Sequence, residues 1–126
     1  MRRTNPSIVV AGDVSFLRSL VRIALEDDGM RVLAECSSGI ELLDLVRTHH
    51  PDVVVMDISL DEHEMVRLIE SILDIDSGTS IVVITEGRFG ENERLLAAGA
   101  RAYIMKPFSM YDLTDIVRKV APVFRE

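Results

Sequence analysis

Four side chains with useful chemistry stand at or just after the ends of short apolar runs: Asp13 after SIVVAG, Asp57 after VVVM, Thr85 at the end of IVVIT and Lys106 after AYIM. Two carboxylates with a carbonyl nearby make an oxygen-rich site for a hard cation, which suits Mg²⁺ better than Zn²⁺. A carboxylate beside such a cation can attack phosphorus and form an aspartyl phosphate. A lysine and a hydroxyl can then hold the phosphoryl oxygens, and their electrostatic positioning supplies most of the catalysis. If the fold brings the four together, their types therefore indicate phosphoryl transfer to an aspartate.

The apolar runs alternate with longer amphipathic segments, which predicts five strand–helix units. Strands are predicted at SIVVA (7–11), RVLAEC (31–36), DVVVM (52–56), IVVIT (81–85) and AYIM (102–105). Helices are predicted at SFLRSLVRIALEDDG (15–29), GIELLDLVRTHH (39–50), EMVRLIESIL (64–73), GENERLLAAG (90–99) and SMYDLTDIVRKV (109–120). Ser15 and Ser109 are expected to cap the first and last helices.

The strict alternation predicts an α/β fold with a doubly wound parallel sheet, right-handed crossovers and helices on both faces. DVVVM and IVVIT are apolar on both faces, which is typical of strands covered on both sides. Ligands of such sheets bind outside the carboxyl ends of the strands. The four residues with useful chemistry should therefore meet at one edge of the sheet.

The bulk composition is that of one acidic domain. The chain has 126 residues and a formal net charge of −7. We expect residues 1–126 to form a single domain, with a tail at residues 1–6 and no effector domain. The charge argues against direct nucleic-acid binding and against docking on an anionic membrane, and no apolar run approaches the ~18 residues of a membrane span. The single cysteine, Cys36, suits the reducing cytoplasm and is expected to be a small buried hydrophobe.

Four segments resemble the response-regulator receiver domain of two-component signalling: IVVAGD, PDVVVMDISL, IVVIT and GARAYIMKPFS. The resemblance runs from about residue 7 to about residue 120. It implies a flavodoxin-like sheet of five parallel strands in the order 2-1-3-4-5, with five helices. It also implies a cytoplasmic signalling phosphoacceptor rather than an enzyme, with at most slow self-catalysed phosphorylation and dephosphorylation.

The resemblance implies a role for each residue at the sheet edge. Asp57 would be the phosphoacceptor, and Mg²⁺ would be held by Asp13, Asp57 and the backbone carbonyl of Ser59. Thr85 and Tyr103 would be the switch residues that respond to the phosphoryl group.

Lys106 would bind the phosphoryl group, and the peptide bond between Lys106 and Pro107 would be cis. The phosphoryl donor would be a histidine kinase or a phosphotransfer protein. A homodimer partner or an effector would bind the face made by the fourth helix, the last strand and the fifth helix.

The acidic residues depart from the family pattern. The family has two acids after the first strand, whereas this chain has Gly12 before Asp13, and we expect Mg²⁺ binding to be weakened but not abolished. The loop after Asp57 is also unusually acidic. Asp61 or Glu64 could replace the missing acid; alternatively, both belong to a solvated loop at a helix N-terminus, where acids favour the helix dipole.

Glu86 is a second departure, because the family has a small residue after the switch hydroxyl. A long anion at this position should obstruct and repel an anionic phosphodonor. Slow phosphorylation by small donors such as acetyl phosphate is therefore expected.

Two other function classes remain open from the sequence. One is a degenerate receiver that acts as a phosphorylation-independent interaction or dimerisation module, which Gly12 and Glu86 favour. The retained Asp57, Thr85 and Lys106 oppose it, and so does the retained Asp13. The other is a phosphatase of the haloacid-dehalogenase type, but that class needs an acid two residues after its nucleophile, where this chain has Ser59.

Overall fold

Five parallel strands and five helices alternate along residues 5–123, the part of the chain that this computed structural model describes. The strands are β1 (Ser7–Gly12), β2 (Arg31–Cys36), β3 (Val53–Asp57), β4 (Ser80–Thr85) and β5 (Ala102–Met105). The helices are α1 (Ser15–Asp27), α2 (Gly39–His49), α3 (Glu62–Ile75), α4 (Glu91–Ala98) and α5 (Met110–Val120). The sheet order is β2-β1-β3-β4-β5 with every neighbouring pair parallel, which confirms the predicted fold. Of the predicted tail at residues 1–6, residues 1–4 lie outside the described residues, as do residues 124–126.

The sheet divides the core into two apolar layers, because successive side chains of a strand point to opposite faces. Val9 and Ala11 of β1 face the layer covered by α2, α3 and α4. Ile8 and Val10 face the layer covered by α1 and α5. Covering both faces buries every residue of β1 and β4, which confirms the prediction of two-sided burial for IVVIT. Among residues 5–123, no helix is both long and apolar enough to cross a membrane.

Three of the five helices, α2, α3 and α5, have a side-chain N-cap, whereas α1 and α4 have none. Ser109 caps α5 as predicted, accepting a hydrogen bond from the Asp112 amide at 3.0 Å. The prediction for α1 is wrong, because Ser15 already belongs to the helix and Val14 stands at the N-cap without a side-chain bond. α3 begins two residues before the predicted segment, since Asp61 caps it. Ser38 caps α2 in the same way.

Candidate functional site

The carboxyl ends of β1, β3, β4 and β5 form the edge where the predicted site residues lie. Asp57 is the last residue of β3 and is in register with Gly12 at the end of β1. Thr85 is the last residue of β4 and is in register with Met105, so the following residue, Lys106, stands at the same edge. Parallel pairing therefore brings together residues that are far apart along the chain.

Lys106 forms the central ion pair of this edge. Its Nζ lies 3.0 Å from Asp57 Oδ1 and 3.5 Å from Glu86 Oε1. Partial burial by itself lowers the pKa of Lys106, but the hydrogen bond to Asp57 and the charges of Asp57 and Glu86 outweigh it, so that the pKa is raised overall. The ammonium is therefore charged at neutral pH. The Asp57 side chain keeps 25% of its surface exposed, which leaves it accessible to a reactant.

Asp13 joins the loop after β1 to the loop after β3. Its Oδ2 accepts a hydrogen bond of 2.9 Å from the backbone N–H of Ser59. This bond is the main reason why the pKa of Asp13 is lowered. Asp13 thus stays ionised beside Ser59, next to the strand that carries Asp57.

The oxygen atoms at this edge have the chemistry of a Mg²⁺ site. The carboxylates of Asp13 and Asp57 and the carbonyl of Ser59 are hard oxygen ligands of the kind that Mg²⁺ prefers, so these residues would hold the ion. Within residues 5–123 no group of three or more His, Cys, Asp and Glu side chains is placed to hold a metal. The residues present therefore fit Mg²⁺ with two carboxylates rather than three.

The side chain of Arg18 in α1 lies next to Gly12. A Cβ added there would lie 3.4 Å from Arg18 Cβ and 3.7 Å from the carbonyl oxygen of Asp57. The Gly12 carbonyl accepts a hydrogen bond of 2.7 Å from Arg18 Nη1, and Arg18 Nε donates to Glu35 at 3.0 Å. Arg18 is thereby held beside Gly12.

Asp61 and Glu64 form a capping box at the start of α3. The Glu64 amide donates to Asp61 Oδ1 at 2.8 Å, and the Asp61 amide donates to Glu64 Oε1 at 3.3 Å. The hydrogen bond from the Glu64 amide is the main reason why the pKa of Asp61 is lowered. These contacts match the interpretation of both acids as helix-terminal residues.

Thr85 has a partner that the sequence analysis missed. Its hydroxyl donates a hydrogen bond of 2.9 Å to Oδ1 of Asn92 in α4, and both residues are buried. Helical periodicity could have revealed this contact. Asn92 lies three residues before Leu95, so both fall on the buried face of α4, where a polar side chain needs a partner. Tyr103, the other predicted switch residue, is half-buried on β5 in register with Val83.

A cleft of about 470 Å³ opens beside Asp57. Its lining includes Ser59, Asp61, Thr85, Glu86 and Lys106, and it runs between the N-terminal ends of α3 and α4. The peptide bond between Lys106 and Pro107 is cis. The cleft opens the Asp57 carboxylate to solvent.

Comparison with known proteins identifies one family. The family model described as the response regulator receiver domain matches residues 8–118. The chemotaxis protein CheY of Bacillus subtilis is 27% identical over 115 residues, which cover 89% of this chain and 94% of CheY. The polar-differentiation response regulator DivK of Brucella ovis is 35% identical over 115 residues, which cover 89% of this chain and 93% of DivK.

Solved structures give the same fold. The chemotaxis response regulator CheY4 of Vibrio cholerae matches with a TM-score of 0.81 at 22% identity, covering 93% of this chain and 99% of that chain. A chain of the CheX–CheY–BeF3–Mg complex from Borrelia burgdorferi matches with a TM-score of 0.82 at 19% identity, covering 90% and 87% of the two chains. At these identities the likeness is one of fold.

Proposed function

This chain belongs to the response regulator receiver domain family, and from that premise we propose that Asp57 accepts a phosphoryl group from a histidine kinase or a phosphotransfer protein. Receiver domains are signalling phosphoacceptors and generally not enzymes, so any self-catalysed phosphorylation or dephosphorylation of this chain would be slow. One observation carries the proposal: the partly exposed Asp57 carboxylate lies 3.0 Å from the Lys106 ammonium at the mouth of the cleft.

The transfer forms one bond and breaks one. An oxygen of Asp57 attacks the phosphorus of a phosphohistidine, the new P–O bond forms, and the P–N bond breaks with its electron pair going to the imidazole nitrogen of the donor. Lys106 neutralises the developing charge on the phosphoryl oxygens because its ammonium is already beside the attacking carboxylate. Thr85 would then turn its hydroxyl toward the phosphoryl group, with Tyr103 as the second switch residue.

Receiver domains generally bind Mg²⁺, and here Asp13, Asp57 and the carbonyl of Ser59 would hold it. When bound, Mg²⁺ neutralises negative charge shared by the carboxylate and the phosphoryl oxygens. We expect weak binding, because Gly12 removes one carboxylate from the site. The backbone amide of Ser59 holds the Asp13 carboxylate in place. The carboxylates of Asp13 and Asp57 therefore remain available to bind the ion.

The output surface is proposed to be the face made by α4, β5 and α5. Its exposed apolar side chains include Leu96, Met105 and Tyr111, and the exposed Arg101 adds charge. A covalent phosphoryl charge shifts a two-state equilibrium, and this face would read the shift by binding an effector or a second copy of the chain. We propose that residues 1–126 act as a receiver domain in the cytoplasm and do not themselves bind nucleic acid or membrane.

A second candidate function is a phosphorylation-independent interaction or dimerisation module. Glu86 favours it, because its carboxylate lies 3.5 Å from Lys106 and competes for the cation that a phosphoryl group needs. Gly12 favours it as well. The ion pair between Asp57 and Lys106 opposes this second function, and so does the retained Asp13.

The deciding experiment combines intact mass and amide NMR. The protein is incubated with Mg²⁺ and acetyl phosphate, and separately with Mg²⁺ and beryllofluoride. A phosphoryl adduct that is absent in Asp57→Asn but present in Asp44→Asn, an exposed residue of α2, would support the proposal. Absence of both an adduct and a beryllofluoride-dependent shift at millimolar Mg²⁺ would instead support the interaction module.

A further inference from the structure

A buried hydrogen bond ties the end of β4 to α4. Thr85 and Asn92 are 4% and 9% exposed, and Thr85 Oγ1 donates to Asn92 Oδ1 at 2.9 Å. A hydroxyl has one proton to donate. While that proton is given to Asn92, it cannot be given to a phosphoryl oxygen on Asp57.

We infer that Asn92 is a positioning residue that holds the Thr85 hydroxyl on α4 and thereby opposes the phosphorylated arrangement. The inference rests on the proposed function, since it concerns how Thr85 is released when Asp57 is phosphorylated. Release leaves the buried Asn92 carbonyl without the proton that it now accepts, which is costly for a buried polar group. The side chain of Asn92 must then find another partner, and α4 moves or loosens with it.

The other polar contacts described near the N-terminus of α4 are ion pairs in which the arginine is exposed, Arg88 with Glu91 and Arg94 with Glu62. Gly90 stands at the N-cap with φ of 74° and supplies no side-chain bond to the helix. Arg94 is hydrogen-bonded to Glu62 of α3 and to the carbonyl of Phe89, but the Arg94 side chain is 53% exposed. The buried pair of Thr85 and Asn92 therefore couples the proposed site directly to the proposed output surface.

The test is a titration with beryllofluoride in excess Mg²⁺, followed by amide NMR shifts of Lys106 and α4. Asn92→Ala should lower the midpoint, the beryllofluoride concentration at which half of the protein is bound, about fivefold. This change corresponds to the free energy of one ordinary buried hydrogen bond. The same change is then made in two matched backgrounds. Thr85→Ser keeps the hydroxyl, whereas Thr85→Val keeps the shape and removes the hydroxyl.

The inference requires that Asn92→Ala lower the midpoint in the original chain and in Thr85→Ser but leave it unchanged in Thr85→Val. An unchanged or higher midpoint in the original chain would overturn it. An equal decrease in the Thr85→Val background would also overturn it, because the effect would then come from packing alone.

A second readout needs no phosphoryl analogue, so a failure of the proposed function stays separable from a failure of this inference. Amide hydrogen exchange of α4 should be about fivefold faster in Asn92→Ala and in Thr85→Val. The double variant should exchange no faster than either single variant, because both remove the same bond. Additive effects would show that Asn92 and Thr85 act independently, and the positioning role would be rejected.

Discussion

Lys106 lies between the carboxylates of Asp57 and Glu86, and it is closer to Asp57. The contact to Asp57 is 3.0 Å and that to Glu86 is 3.5 Å. Glu86 is the more exposed of the two acids, with 56% of its side-chain surface accessible against 25% for Asp57. Its pull on Lys106 is therefore screened more strongly by water and salt. Glu86 acts mainly as a negative charge at the mouth of the cleft.

Replacing Glu86 by Ala should speed phosphorylation of Asp57 by acetyl phosphate about threefold to tenfold at low ionic strength. The change removes a like charge from the path of an anionic donor and leaves Lys106 to Asp57 alone. The rate is measured by intact mass against time in the presence of Mg²⁺.

Glu70→Ala is the matched control, because it removes one exposed acid from α3 and changes the net charge equally. It should leave the rate unchanged. The advantage of Glu86→Ala should shrink as salt is added. Equal rates for Glu86→Ala and the original chain would contradict this role of Glu86.

Restoring an acid at Gly12 should tighten Mg²⁺ binding about tenfold, since a third carboxylate would join Asp13 and Asp57. A Cβ at this position meets Arg18 Cβ at 3.4 Å, which is an ordinary contact. The Mg²⁺ midpoint, the concentration at which half of the Gly12→Asp protein is bound, is measured from the amide NMR shifts of residues near Asp13 and Ser59. Gly12→Asn has the same shape without the charge, and an identical midpoint for both variants would rule out the electrostatic explanation.

At the scale of elements, the helices differ in how their N-termini are capped. α3 begins with the capping box of Asp61 and Glu64, whereas α1 begins at Ser15 without a side-chain cap. The carboxylate of Asp61 thus accepts a hydrogen bond from the backbone of α3. The two interpretations of the acidic loop make different predictions for this residue.

Asp61→Ala should lower the urea midpoint of unfolding by roughly 0.5 M, because an N-cap is lost, whereas Asp61→Ser should retain most of the stability. Neither variant should change the Mg²⁺ midpoint. A weaker Mg²⁺ midpoint in Asp61→Ser, with the cap intact, would instead mean that Asp61 serves as the missing acid.

The same cap predicts a pH dependence. Because the pKa of Asp61 is lowered from its ordinary value of 3.8, its stabilising effect is present above that value. The effect is lost as the pH falls through the lower pKa of the folded state. The stability difference between the original chain and Asp61→Ser should therefore change below about pH 4, since serine does not titrate.

At the scale of the whole molecule, the two core layers determine how the single thiol behaves. Cys36 ends β2, is 4% exposed and belongs to the layer under α2, α3 and α4. Burial raises the pKa of the Cys36 thiol from 9.0 to about 11. The thiolate is the reactive form, so at pH 8 its fraction is about a hundredfold smaller than for an exposed cysteine. This agrees with the expectation of a buried hydrophobe.

Cys36 should therefore react with a disulfide reagent at pH 8 at least about a hundredfold more slowly in the folded protein than in urea above the unfolding transition. Ser37→Cys in a Cys36→Ala background gives the matched exposed thiol, because Ser37 is the exposed neighbour. That variant should react quickly without urea. Fast labelling of Cys36 in the folded protein would mean that β2 opens readily from the sheet.

The sequence by itself determined the order of strands and helices and the meeting of Asp13, Asp57, Thr85 and Lys106. Apolar runs report burial locally, and the carboxyl ends of parallel strands must share one edge, so no distant contact had to be known. The strand order came from the family resemblance. Helix starts were less accurate, as at α1 and α3, because the cap depends on the conformation of single residues.

Only the tertiary structure decided what the polar side chains around that edge do. Asp61 could cap a helix or bind a cation, and its rotamer placed it on the Glu64 amide. Asn92 became the partner of Thr85 because α4 packs on α3 and β5, which brings Asn92 to the end of β4. Each of these contacts depends on loop conformations set by packing across the molecule. Residue types alone leave several such partners open, and three-dimensional distance selects among them.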